Sequence, residues 1–336
     1  MSKIFYRLRS AKNLLEGFNE LENQTIYFAH PKQLNDPMEG YRDIFWAGDH
    51  IAWKNLFRHY LFCLERLTSS LLIAGEQYEI SKNDIPIFGN EEELPTDKYK
   101  EQFSKIKESF FSIKSLSNLI DNISSRSNPI RRDELEFYLS SIHFVAMKTI
   151  FDVYIEEGLS SERNRMDESC YQHLDRIISK DFLGALEQNK EEKLISEIFA
   201  IKRQFQEQIF LLSKYNEKFD KNKPNKNLVV NNFPGVYLDR LNELIFPEWY
   251  TACFMSECKN SSVWGHYGEN HTGICLMFKS EIKDSKFYLN LNGVSGWGSS
   301  GPIFRNRWQE LHPIKYLEGF GEIDFFRSMA AYQYRR

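Results

Sequence analysis

The fold turns on WGHYGENHTGICLMF, residues 264–278. Its second half, residues 273–278, is an apolar run of buried-strand length, opened by glycine and too short for an ordinary helix. Residues 250–256 (YTACFMS) form a second such run just upstream. The other strong strand texture lies at the opposite end of the chain, at residues 4–8 (IFYRL) and 25–29 (TIYFA). Between those two, Ser10 is placed to cap a short helix over residues 11–21. From about residue 50 to 222 the texture changes. Leu56, Phe57, Tyr60, Leu61 and Leu64 recur at helical intervals, and similar periods run through 99–123, 131–157, 162–187 and 191–219.

Strands at both ends around a helical middle predict an α+β protein. Its mixed or antiparallel split sheet is assembled from N- and C-terminal segments and interrupted by a large all-helical insertion. The predicted boundaries are 1–49 with 228–336 for the strand core and 50–227 for the insertion. Residues 221–233 (KNKPNKNLVVNNF) read as a polar return linker. Residues 286–291 and 313–317 are weaker strand candidates, and GVSGWGSSGP at 293–302 reads as a surface loop that lacks the Gly-Lys-Ser/Thr ending of a phosphate cradle.

Composition narrows the function classes. The 336 residues are 42% hydrophobic and 15% aromatic, enough for a substantial core. A balance of 43 basic against 47 acidic residues leaves a net charge of −4, so no global basic field draws the chain to nucleic acid. Five scattered cysteines suit reduced thiols better than a disulfide framework. The start, MSKIFYRLRS, has no apolar signal core, and no apolar run reaches the roughly 18–20 residues that span a bilayer. The prediction is a cytoplasmic protein without a membrane partner.

Two stretches concentrate chemistry. Trp264, His266, Tyr267, Glu269 and His271 pack an indole, a phenol, two imidazoles and a carboxylate into eight positions just before a strand. The two histidines are five apart, unlike a helical zinc pair at i and i+4. Cys253, Cys258 and Cys275 lie nearby, but Cys253 and Cys275 sit inside apolar runs and read as small buried hydrophobes, so no metal is predicted. The second stretch is LNDPMEG, residues 34–40, where Asn35-Asp36-Pro37 reads as a turn and Glu39 follows it. Arg7 shares a strand face with Phe5 and needs a partner there: Asp36, Glu39 or a bound anion.

Taken together, Tyr6-Arg7, the block Asn35-Asp36-Pro37-Met38-Glu39 and the block Trp264-Gly265-His266-Tyr267 with His271 and Gly273 resemble the bacterial domain-of-unknown-function family 2971. The resemblance covers about residues 4–46 and 247–320, with Leu34 where that family prefers Phe. The order of strands and polar marks is also similar to the ADP-ribosyltransferase-type fold, which binds NAD in the cleft of a split sheet. That likeness implies NAD as cofactor, held by Arg7, Asn35, Asp36, Trp264, Tyr267 and His271. Glu39, Ser256, His266 and Glu269 are then the catalytic candidates. The family's late E-x-E-like segment has no counterpart before Arg336. Either the chain lacks its terminal catalytic segment, or Glu257, Glu269 or Glu39 replaces it.

The implied function is an NAD-handling enzyme or toxin-type effector, in bacterial anti-phage defence. The alternative is a non-catalytic module that binds a nucleotide-type small molecule, with the helical insertion docking a partner protein or nucleic acid.

Overall fold

The computed structural model describes residues 2–30, 33–34, 43–161, 166, 168–177, 197, 199, 201, 204, 223–245, 249–315 and 321–333. In chain order the elements begin with β1 (Ser2–Arg9), β2 (Asp43–Trp46), α1 (His50–Ala74), α2 (Asp97–Phe111) and α3 (Lys114–Ser125). The middle holds β3 (Ile130–Arg131), α4 (Arg132–Glu156), α5 (Ser169–Ile177), α6 (Phe233–Ile245) and α7 (Ser261–Tyr267). The last are β4 (Ile274–Lys283), β5 (Lys286–Gly298), β6 (Gly301–Leu311), β7 (Glu322–Asp324) and α8 (Phe325–Gln333). The protein is α+β, with one antiparallel and one mixed sheet. Among the described residues no helix is long and apolar enough to cross a membrane.

The chain divides into a strand unit, Met1–Tyr41 with Glu248–Phe320, and a helical unit, Arg42–Pro247 with Gly321–Arg336. Residues 228–245 and 321–333, grouped by sequence with the strand core, therefore belong to the helical unit. The reason is burial. Tyr237, Leu238 and Leu241 of α6 are in the helical core, and Phe325 stacks on Trp46 at 5.5 Å.

In the helical unit, α4 is apolar on nearly every side: Leu135, Tyr138, Leu139, Ile142, Val145, Ala146 and Ile150 are all buried. A helix with no polar face belongs at the centre of a bundle. Around it, α1 starts where Asp49 accepts a hydrogen bond from the Ala52 amide at 2.9 Å and stops at Gly75, whose φ is 60°. The period at 99–123 resolves into two helices, α2 and α3, broken at Ser112 and Ile113. Of the predicted return linker, residues 224–233 are helical instead. Asn225, 1% exposed, donates to the carbonyls of Gly75 (2.9 Å) and Tyr78 (2.5 Å) and accepts from the Ile80 amide (2.8 Å). A polar residue this well satisfied is a clamp that local sequence does not reveal.

The strand unit is built on the antiparallel order β1-β4-β5-β6. Tyr6 exchanges hydrogen bonds with Met255 (2.9 and 2.8 Å), and Ala29 with Thr251 (2.8 and 2.9 Å), so two extended segments continue the sheet beyond β1. Where full strands are predicted, residues 25–29 thus make one isolated bridge and residues 250–256 two, and Cys253 is exposed rather than buried. The late strand is likewise half open. Met277 is 71% exposed, because an antiparallel sheet packs one face and leaves the other to solvent. The predicted loop at 293–302 is the end of a long hairpin, with β5 and β6 paired as far as Gly298 and Gly301.

Candidate functional site

Arg7 and Arg9 alternate onto the same face of β1. Their partner is Glu20, in the turn after the short helical segment that follows β1. The Glu20 carboxylate is buried, lies 3.9 Å from the Arg7 guanidinium and accepts from Arg9 Nε at 2.5 Å. It also accepts the Tyr27 amide at 2.7 Å, while Arg7 donates to the Tyr27 carbonyl at 2.7 Å. The rings of Phe18 and Tyr27 stack at 4.0 Å, with Arg9 over Phe18 at 5.6 Å and Arg7 over Phe254 at 6.0 Å.

The electrostatics are unbalanced. Two guanidiniums share one carboxylate, and among the described residues Arg9 Nη2 is buried with no hydrogen-bond partner. Burial, and then the like charge of Arg9, pull the Arg7 pKa below its usual value; Glu20 and Cys253 oppose this. A surplus guanidinium of this kind suits a phosphate or carboxylate, which its planar fork binds through two oxygens. Sequence reading found Arg7 but missed Arg9, Glu20 and Tyr27. The i, i+2 rule already placed Arg9 beside Arg7; no comparable signal marked Glu20.

The second block lies at the C-terminal end of β1. Asn260 caps α7 by accepting from the amides of Ser262 (3.0 Å) and Val263 (3.3 Å). Trp264 is half-buried and donates its indole N–H to the Cys258 carbonyl at 2.6 Å. His266 and Tyr267, on the same helix, are exposed. Glu269, Asn270 and His271 then take φ values of 51°, 53° and 70°, three left-handed residues in a row. This turn closes through Thr272 N to Glu269 O (3.2 Å) and Gly273 N to Gly268 O (2.7 Å). Gly273 is required there, since a Cβ would stand 2.7 Å from the Arg9 carbonyl oxygen.

Arg7, Ser256 and the 264–271 block are thus gathered around β1, Ser256 through its neighbour Met255 and the block through Gly273. Ser256, Glu269 and His271 are exposed. Asn35, Asp36 and Glu39 lie outside the described residues. Among the described residues no group of three or more His, Cys, Asp and Glu side chains is placed to hold a metal ion. Compared with family models, curated proteins and solved structures, the chain matches none.

Proposed function

We propose that the strand unit binds NAD and that the protein is an ADP-ribosyltransferase-like enzyme or effector acting in the bacterial cytoplasm, in anti-phage defence. The observation that carries this reading is the arginine pair on β1, with one buried guanidinium nitrogen unpartnered among the described residues. Arg9, with Arg7 behind it, takes the pyrophosphate, and Trp264 or Tyr267 lies against a flat ring. Glycosidic cleavage breaks the bond from the ribose C1′ to the nicotinamide nitrogen, and nicotinamide leaves with the electron pair. Positive charge then develops on the ribose, so a carboxylate must face it; Glu269 and Glu39 are the candidates. Water or an acceptor side chain attacks C1′, and its proton passes to His266 or to the carboxylate. Five cysteines that remain thiols fit a reducing compartment.

The test is to incubate the protein with NAD and measure nicotinamide release and label transfer. Turnover that Arg9→Ala and Glu269→Gln abolish is the expected result. A second reading, a non-catalytic nucleotide-binding module, is favoured by Arg7 being held by Glu20 and the Tyr27 carbonyl. Thermal stabilisation by NAD without nicotinamide release selects it. Neither stabilisation nor release sinks both readings.

A further inference from the structure

The stretch from Cys258 to Cys275 is a loop closed by its own hydrogen bonds. The Cys258 carbonyl accepts the Trp264 indole N–H at 2.6 Å. The Trp264 carbonyl in turn accepts the amides of Gly268 (2.9 Å) and His271 (3.4 Å), and the Gly268 carbonyl accepts that of Gly273 (2.7 Å). Each link carries the chain back toward its start. Gly273 then passes into β4, where Cys275 lies opposite Leu8 of β1. The two ends of the loop meet side chain to side chain, with the Cys258 and Cys275 thiols hydrogen-bonded to each other.

Neither thiol is lost in a core. Both are half-buried, whereas Cys63 is fully buried in the helical unit. Their backbones differ in a useful way. Cys275 is fixed by the ladder between β1 and β4, while Cys258 lies in irregular chain between the Met255 bridge and the Asn260 cap. A disulfide demands a specific geometry of both residues, and the irregular segment can adjust to supply it. Burial, and then Cys258, push the Cys275 pKa up, which leaves the first attack on an oxidant to Cys258.

We propose that Cys258 and Cys275 are a peroxide-sensitive thiol pair whose disulfide pins the 258–275 loop. The Cys258 thiolate attacks one oxygen of hydrogen peroxide, the O–O bond breaks, hydroxide leaves, and the sulfur becomes a sulfenic acid. Cys275 attacks that sulfur, the S–O bond breaks, and its thiol proton leaves with the departing oxygen as water. Two thiols and one peroxide become one disulfide and two waters, with both sulfurs oxidised and both peroxide oxygens reduced. In a reducing compartment such a bond is a transient signal rather than a permanent staple. The loop it pins carries Trp264, His266, Tyr267, Glu269 and His271, but its formation does not depend on NAD being their ligand.

The test treats the reduced full chain with a few equivalents of hydrogen peroxide, alkylates the remaining thiols and maps the peptides by mass spectrometry. A Cys258–Cys275 link, lighter than the two thiol peptides by two hydrogens, should form within one chain, and dithiothreitol should restore both thiols. Hydrogen exchange across residues 259–273 should slow by about ten-fold or more in the linked form, because the cross-link limits local opening. Cys275→Ser should instead leave Cys258 as a sulfenic acid that dimedone traps, and Cys253→Ser should leave the link intact. Persistence of both thiols after the exposed Cys253 has been oxidised overturns the assignment. So does a link that joins Cys258 or Cys275 to another cysteine or to a second chain, or a correct link that leaves exchange across the loop unchanged.

Discussion

Glu134 in the helical unit and Glu20 in the strand unit are both buried carboxylates that hold arginine, yet their surroundings differ in charge arithmetic. Glu134 pairs with one guanidinium, Arg126, and accepts the Tyr138 hydroxyl at 2.7 Å; the arginine and glutamate side chains are 4% and 3% exposed. Charge there cancels. Glu20 faces two guanidiniums and cannot cancel both. Two buried histidines of the helical unit are paired at both ring nitrogens: His59 accepts the Tyr237 hydroxyl at 2.8 Å and donates to the Ile87 carbonyl at 3.1 Å, and His143 does the same with Tyr60 and the Val230 carbonyl. Beside Glu20, by contrast, Arg9 Nη2 is buried with no hydrogen-bond partner among the described residues. A neutralised cluster serves stability, whereas a surplus charge is free to serve a ligand.

Breaking the balanced cluster should have the largest effect. Glu134→Ala takes away the carboxylate shared by Arg126 and Tyr138 and should destabilise the helical unit by about 3–5 kcal/mol. Hydrogen exchange read by mass spectrometry reports each unit separately, and protection should fall across α3 and α4 but not across β1 and β4. Equal loss in both units would break the distinction.

Acid gives the next largest effect, again confined to the helical unit. Burial lowers the pKa of both His59 and His143 to about 4. A histidine whose folded pKa lies below its unfolded value of about 6.5 contributes fully above that pH. The contribution is lost as pH falls from 6.5 toward 4, because the unfolded chain takes the proton first. Each histidine should cost about 2 kcal/mol of stability by pH 5. Glu65 opposes them. Burial raises its pKa, so its contribution is present at low pH and is lost as pH rises through the folded value. Its carboxylate accepts from Tyr154 at 2.5 Å and Tyr99 at 3.2 Å. Glu65→Gln removes that opposing titration, and urea midpoints measured between pH 7 and 5 should then fall more steeply.

The unbalanced cluster is sharpened by comparing its two arginines. Arg7→Ala removes a buried donor to the Tyr27 carbonyl and should cost the strand unit about 1–3 kcal/mol. Arg9→Ala leaves Glu20 with Arg7 and the Tyr27 amide, and should cost about 1 kcal/mol or less. Ligand response should run the other way, with pyrophosphate raising the melting temperature of the parent and of Arg7→Ala more than that of Arg9→Ala. A larger loss of response in Arg7→Ala would reassign the surplus charge.

How much of this was written locally differs between the units. Periodicity alone located α1 and α4, because a core helix must repeat its apolar positions and both do so over 25 residues. It likewise separated helical middle from strand ends. What it could not reach were partners distant in sequence. The helix at Pro224–Asn227 reads as a linker, since Lys and Asn dominate it, and what holds it is distant in sequence: Glu76, the carbonyls of Gly75 and Tyr78, and the Ile80 amide. The strand at 293–302 was hidden by glycine and serine, whose low strand propensity is overridden by pairing with β6. At the site, Arg7 was legible as a charge on a strand face. Glu20 was not, because the turn that brings it back has no recognisable signature.

Backbone strain separates the units as well, and gives the smallest effect. Among the described residues, all seven non-glycine residues with positive φ, including Glu269, Asn270 and His271, lie in the strand unit. The helical unit reserves such positions for Gly75 and Gly158. A left-handed non-glycine residue costs about 1 kcal/mol, so a run of three persists only where the surroundings hold it. Here they do: the Gly268 and Trp264 carbonyls bind the amides of Gly273 (2.7 Å) and His271 (3.4 Å). His271→Gly should therefore stabilise the strand unit by about 0.5–1 kcal/mol, read as a small rise in its melting temperature. If the turn exists to present the imidazole, the same substitution should weaken nucleotide binding while stability improves. Asn270→Gly serves as the control, relieving a comparable φ without removing a ring. Stabilisation by both variants with binding lost only in His271→Gly would mark the strain as serving the site; binding lost equally in both would assign it to the turn's shape.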